Sequence, residues 1–271
     1  MFKRLMFVLL LLLAAPLQAA PRVVVSVPPL HSLVTALMEG VAVPDLLLHS
    51  DEELQASQLT RAQMRLVLQA DLLLWSGPEF ETALASALEQ TPVAARQAMM
   101  MAHHLPLLAA LPGSPLAGHG AHRHADGIAR DPRFWLDPRL AVIAVHHLTP
   151  HLVRLDPDNT ERYLDNEIRL IARLKQMEAG LHQRLTALAG ATVHIDSDAS
   201  PYFYHRFGLT VQAAQHAGPA TGGCFIARQD VLGGNLPADV DLYFQLLDRQ
   251  AAAVLACLPV RQAATSATTQ L

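Results

Sequence analysis

Residues 156–190 carry one unbroken helical pattern, and its length restricts the fold more than any other feature of the chain. Asp156 is placed to cap the helix, Pro157 suits its first position, and Asp158 and Glu161 favour its positive end. Apolar Leu164, Ile168, Ile171, Leu174, Leu181, Leu185 and Leu188 recur at helical spacing, and Gly190 ends the run. Roughly 30 residues rising 1.5 Å each make a rod of about 45 Å, long enough to join two lobes rigidly.

Both sides of the rod read as α/β. Before it, strand patterns at 23–27, 46–48 and 71–75 alternate with helical ones at 30–38 and 61–69, and a further helix spans about 139–153. After it, strands are expected at 192–196, just beyond Gly208 and at 252–257, with helices at 202–206 and 238–249. Such alternation implies parallel sheets covered on both faces. The final VRQAATSATTQL has no period and reads as a tail, so the second lobe is short. The expected organisation is a signal segment at 1–19, an N-terminal lobe at 20–155, a linker helix at 156–189, a C-terminal lobe at 190–258 and a tail at 259–271.

Composition and the N-terminus restrict what such a fold can do. MFKRLMFVLLLLLAAPLQAAP places Lys3 and Arg4 before an apolar run and small residues at Ala19 and Ala20, the pattern of a secretory signal peptide cut after Ala19. The run is shorter than the roughly 20 residues of a membrane span, and no other stretch approaches that length without charges. No Cys follows it, which argues against a lipid anchor. A formal net charge of −4 with scattered Lys and Arg offers no field for nucleic acid. Cys224 and Cys257 could form one disulfide after export, although sequence alone does not bring them together. No nucleophile and base form a recognisable local signature, so an enzyme is not expected.

Residues 101–130 hold five of the 14 histidines, three prolines and no sustained period, and read as a surface loop. Within it GHGAHRH places His119, His122 and His124 where they can wrap one zinc or copper ion weakly, or serve only as polar loop residues. His103 and His104 read as solvated residues at the loop's edge. His146, His147, His151 and His182 fall on helical patterns and read as surface residues without a partner at zinc spacing.

Five stretches carry a likeness to a known family: VPPLHSLVTALMEGV at 27–41, ADLLLWSGPEFE at 70–81, DPRFWLDP at 131–138, DPDNTERYLDNEIRLIARL at 156–174 and DASPYFYHRFGLT at 198–210. Together they resemble the zinc-uptake and manganese-uptake solute-binding proteins of bacterial ABC transporters, the ZnuA type, over nearly the whole chain up to about residue 258. The resemblance implies two α/β lobes of the cluster A-I kind, with a metal held between them by three histidines and one carboxylate. It places the first histidine at Gln55, the second at Arg133 and the third at Ser197, and the carboxylate, which follows the strand expected at 252–257, at or near Cys257. None of the four is the expected ligand, and a guanidinium at Arg133 repels a dication. His49, six residues before Gln55, and His194, three before Ser197, are either shifted ligands or histidines with no metal. Asp196 and Asp198 form a carboxylate pair that either faces Arg133 across the cleft or only caps the next helix.

The resulting expectation is a periplasmic, monomeric, solute-binding-protein-like component of a zinc ABC uptake system with a degenerate inter-lobe site and weak, loop-bound zinc. Its partner is the transporter permease or a complete metal-binding paralogue. The alternatives are a structural or regulatory partner of the transporter that binds no metal, and a binder of a small anion through Arg133.

Overall fold

The computed structural model describes residues 20–92, 94, 98–102, 104–117, 128–196, 198–213, 224–226 and 229–257. The expected signal segment, His103, His119, His122, His124, Ser197 and the expected tail lie outside the described residues.

The first lobe is built on a four-stranded parallel sheet, in the order β2-β1-β3-β4. Its strands are β1 (Val23–Val25), β2 (Asp45–Leu46), β3 (Leu72–Trp75) and β4 (Ala98–Met100). Val24 pairs with Leu73 and Leu74 with Met99. The central strands read VVV and LLLW because both faces are covered, which removes any polar alternation. Helix α1 (Pro28–Leu37) starts on two prolines that need no N–H partner. The short α2 (Asp51–Leu54), α3 (Arg61–Gln69) and α4 (Thr82–Gln90) follow. α3 carries a full capping box between Thr60 and Gln63. α5 (Pro138–Leu155) is capped by Asp137, whose carboxylate accepts from the Arg139 N–H at 2.9 Å.

The long helix α6 (Thr160–Leu185) is flanked by 3-10 turns at Pro157–Asn159 and Thr186–Leu188. Two expectations for it need correction. Asp156 does not cap the main chain; its Oδ2 accepts from the Tyr163 hydroxyl at 2.9 Å and the Asn159 amide at 2.8 Å. Leu164 and Ile168 are 44% and 67% exposed rather than core. The buried stripe instead takes in Tyr163, Asn166, Leu170, Ile171 and Leu174. Asn166 explains this rotation, since its amide donates to the Leu37 and Glu39 carbonyls that end α1 and so turns that face of α6 inward.

Gly190, at φ 80°, turns the chain into the second lobe. Its sheet is parallel and three-stranded, in the order β6-β5-β7: β5 (Thr192–Ile195), β6 (Thr210–Ala213) and β7 (Cys224–Ile226). α7 (Tyr202–Arg206) lies between β5 and β6, and α8 (Leu242–Cys257) ends the described chain. The strand expected at 252–257 is helix, and the helix expected at 238–249 begins at Leu242. Alanines 251–253 are strong helix formers, and Leu246, Leu247, Gln250, Ala251 and Val254 keep a helical burial period straight through the supposed break. β7 here, like β4 in the first lobe, was not expected from the sequence. A disulfide joins its first residue, Cys224, to Cys257 at the end of α8, with Cα atoms 5.1 Å apart. α8 also packs on α1 of the first lobe, where the Tyr243 N–H donates to Ser32 Oγ at 3.1 Å, so the last helix binds the lobes together.

Candidate functional site between the lobes

DPRFWLDP belongs to the first lobe and lies against the second, and each polar side chain along it has a partner. Ser76, in the turn that ends β3, donates through Oγ to the Pro132 carbonyl at 2.8 Å. Ser76 is itself fixed by Glu81. That buried carboxyl accepts from Ser26 Oγ at 2.5 Å, from the Ser76 N–H at 2.9 Å and from the Gly77 N–H at 2.8 Å. Burial pushes Glu81 up to about 7, against the pull of those three bonds. Nothing in the sequence reading marked Glu81, because one carboxylate in a turn gives no pattern.

Arg133 is 5% exposed and Asp131 is fully buried. The pair is bidentate, Nε to Oδ1 and Nη2 to Oδ2, both at 2.9 Å. The guanidinium continues into the second lobe, donating through Nη2 to the Ala199 carbonyl at 3.1 Å and through Nη1 to the Asp198 carbonyl. Four of its five N–H groups are thus used. Of the two alternatives for Asp196 and Asp198, the one in which their carboxylates face Arg133 is not observed: the arginine's carboxylate is Asp131, on its own segment, and the second lobe presents main-chain oxygens. The cation is thus neutralised by Asp131, with one N–H group left over.

The grip extends on both sides. The Tyr202 hydroxyl donates to the Asp131 carbonyl at 2.7 Å and accepts from the Leu108 N–H at 2.8 Å. Arg206 grasps Asp137 bidentately at 2.7 and 2.6 Å. Trp135 donates through Nε1 to the Val231 carbonyl at 2.9 Å, and Tyr243 donates to the Trp135 carbonyl at 2.8 Å. The junction segment therefore carries two neutral ion pairs rather than a cluster of free donors.

The other sequence candidates scatter. Gln55 is exposed at the C-terminal end of α2. His49 is exposed and pairs with Glu53 at 3.4 Å. His194 sits within β5, in register with Gln212 and Phe225. Cys257 follows no strand, and its sulfur is committed to Cys224. Asp230 was not anticipated: it lies beyond β7, and its Oδ1 accepts from the Leu232 and Gly233 N–H groups at 3.1 and 2.6 Å. Among the described residues no group of three His, Cys, Asp or Glu is arranged to hold a metal. No described helix is long and apolar enough to cross a membrane.

Two α/β lobes on parallel sheets, joined by one long helix with an aromatic segment gripped between them, define a solute-binding protein of a transport system. The chain belongs to the family of the periplasmic zinc-uptake complex component A, ZnuA, which residues 23–223 match. The family is one of transport components, not enzymes. The high-affinity zinc uptake system protein ZnuA of Paracoccus denitrificans is 29% identical over 236 residues, covering 77% of this chain and 71% of that protein. Its namesake from Yersinia pestis is 28% identical over 222 residues, covering 77% and 70%. A crystal structure of ZnuA superposes with a TM-score of 0.68 at 16% identity, covering 88% of this chain and 98% of that one. The Pseudomonas aeruginosa protein FpvC in complex with Mn2+ gives 0.69 at 16% identity, covering 88% and 98%. At such identities the two structures speak for the fold.

Proposed function

We propose that this chain is a periplasmic component of a zinc ABC uptake system in which a clasp internal to the protein has replaced the inter-lobe metal site. The observation that carries this reading is Arg133. At the position where the resemblance expects a histidine ligand, a guanidinium bonds both lobes at once and brings its own buried counter-ion, Asp131. Gln55 and Ser197 stand at the other two histidine positions. With β7 as the last strand, the carboxylate that should follow it becomes Asp230 instead of Cys257. One good zinc ligand is left, too few for a tetrahedral shell.

Metal handling then passes to His119, His122 and His124, whose zinc would be weakly held. The partner is the transporter permease or a complete metal-binding paralogue, met by a monomer exported through residues 1–19. The clasp equally favours a second reading, a regulatory partner that docks on the transporter in a closed state without metal. Measuring the zinc content of the mature protein after dialysis against a chelator tests the shared premise. No retained zinc is expected. A crystal with ordered zinc between the lobes would overturn it.

A further inference from the structure

Among the described residues, three buried side-chain atoms have no hydrogen-bond partner: Ser200 Oγ, Tyr204 Oη and Gln229 Nε2. All three belong to the second lobe, where Ser200 precedes α7 and Gln229 follows β7. Folded proteins leave few such atoms, and a group of them marks a place where another molecule completes the bonding. We infer that Ser200, Tyr204 and Gln229 enclose a site for one internal water molecule, which ties the end of β5 to the end of β7 beside the clasp.

The topology puts these residues where a small molecule is received. From β5 the chain passes to β6 on one side and then to β7 on the other, so the carboxyl ends of β5 and β7 flank the crevice at which the strand order reverses. Ile195 and Ile226 are paired there in register, and Ser200 and Gln229 lie just beyond them. The Ser200 N–H donates to Gln229 Oε1 at 2.7 Å, which brings the two residues together. That bond also fixes the orientation of the amide, because the opposite one would set its NH2 against an N–H. Nε2 is left as a donor on an amide already in contact with Ser200. Tyr204 follows Ser200 by four residues, on a helix whose side chains lean toward its N-terminus, so its phenol is directed back toward Ser200. Ser200 and Tyr204 are both fully buried.

The surroundings are neutral. Burial alone pushes the Tyr204 hydroxyl above the ordinary tyrosine range, with no charged neighbour acting on it. Tyr202, two residues earlier, feels Asp131, Asp137 and Arg133. An ion would have no counter-charge beside Tyr204, whereas water can accept from the Gln229 amide and exchange bonds with both hydroxyls, within the roughly two to four partners an internal water uses. The Ala199 carbonyl held by Arg133 immediately precedes Ser200, and Asp230, whose carbonyl accepts from Gln250 on α8, follows Gln229. The water therefore braces the second-lobe side of the junction. Its partners are separate from Gln55, Arg133, Ser197 and Asp230, so the site holds whether or not the cleft binds metal.

A crystal structure of the full mature chain, at a resolution that shows ordered solvent, should contain a water bonded to Ser200 Oγ and Gln229 Nε2. Thermal melts supply a second test. Tyr204→Phe and Ser200→Ala each remove one bond to the water and should each lower the melting midpoint by about 2 to 4 °C. The double variant should lose less than the sum of the two, because both hydroxyls serve one guest. A hydroxyl with no partner behaves in the opposite way, since removing it relieves a buried desolvated group and raises the midpoint. A rise for either variant, strictly additive losses, or a wild-type crystal structure without that water would overturn the site and leave the proposed function standing.

Discussion

Asp131 and Arg133, two residues apart, form a bidentate ion pair at the junction of the lobes, with side chains 0% and 6% exposed. A pair that close in sequence costs little chain entropy to form, and its free N–H groups are aimed at the Asp198 and Ala199 carbonyls. The fixed geometry of a guanidinium lets one side chain do both.

Removing only the cation should therefore be costly. Arg133→Ala leaves a fully buried carboxylate without its counter-ion and should lower unfolding free energy by about 3 to 5 kcal/mol. Asp131→Asn combined with Arg133→Met should recover most of that loss. Urea unfolding of the two variants checks the order. Equal losses in both would mean that the inter-lobe carbonyl bonds, not the ion pair, hold the junction.

Glu81 makes stability depend on pH. Its folded value, about 7, lies above the ordinary 4.5, so the folded state binds more protons than the unfolded state between those values. This contribution is fully present below pH 4.5 and is lost as pH rises through 7, with a ceiling on the order of 3 kcal/mol. Urea midpoints from pH 4.5 to 8 should carry this downward component in the wild type, and Glu81→Gln should remove it. Gln is less stable at every pH, because its amide N–H faces a main-chain donor at Ser76 or Gly77. An unchanged slope in the variant would show that Glu81 stays ionised.

The disulfide closes a loop with a sequence separation of 33. On chain entropy alone that loop is worth about 3 to 4 kcal/mol. Cys224→Ala with Cys257→Ala should lose stability on that scale, and both thiols should resist alkylation until reduced. Free labelling of periplasmic protein without reductant would contradict the bond.

The sequence made the scaffold readable wherever burial imposes a period. β1 and β3 are continuous apolar runs, and the long helix shows in its spacing and flanking turns. Two errors came from local ambiguity. AAAVLAC fits a buried strand or a buried helix, and only the continuation of the Leu246–Val254 face decides it. Leu164 and Ile168 fit a core stripe until Asn166 is tied to the end of α1. At the site, Arg133 was visible as a misplaced charge, and its acidic neighbour Asp131 stood in the same motif. The partners in the second lobe are main-chain oxygens, which no sequence pattern reveals.

The last prediction reverses the proposed loss of the cleft. Gln55→His and Ser197→His supply two imidazoles, and Arg133→His supplies the third while removing the cation. Asp131→Asn must accompany the arginine change, or the buried carboxylate would be orphaned. Asp230 then provides the oxygen ligand, because its two main-chain bonds both go to Oδ1 and leave Oδ2 to coordinate. Cys257 is left alone, since replacing it would break the disulfide. The four-substitution protein should hold one chelator-resistant zinc where the wild type holds none, read as metal content after dialysis. Each histidine introduced singly should do little, because with Asp230 it makes at most two of the four ligands of a tetrahedral shell. If the fourfold variant folds, by circular dichroism, and still binds no better than wild type, the positions assigned to the metal ligands do not face one another and the clasp has not taken a metal's place.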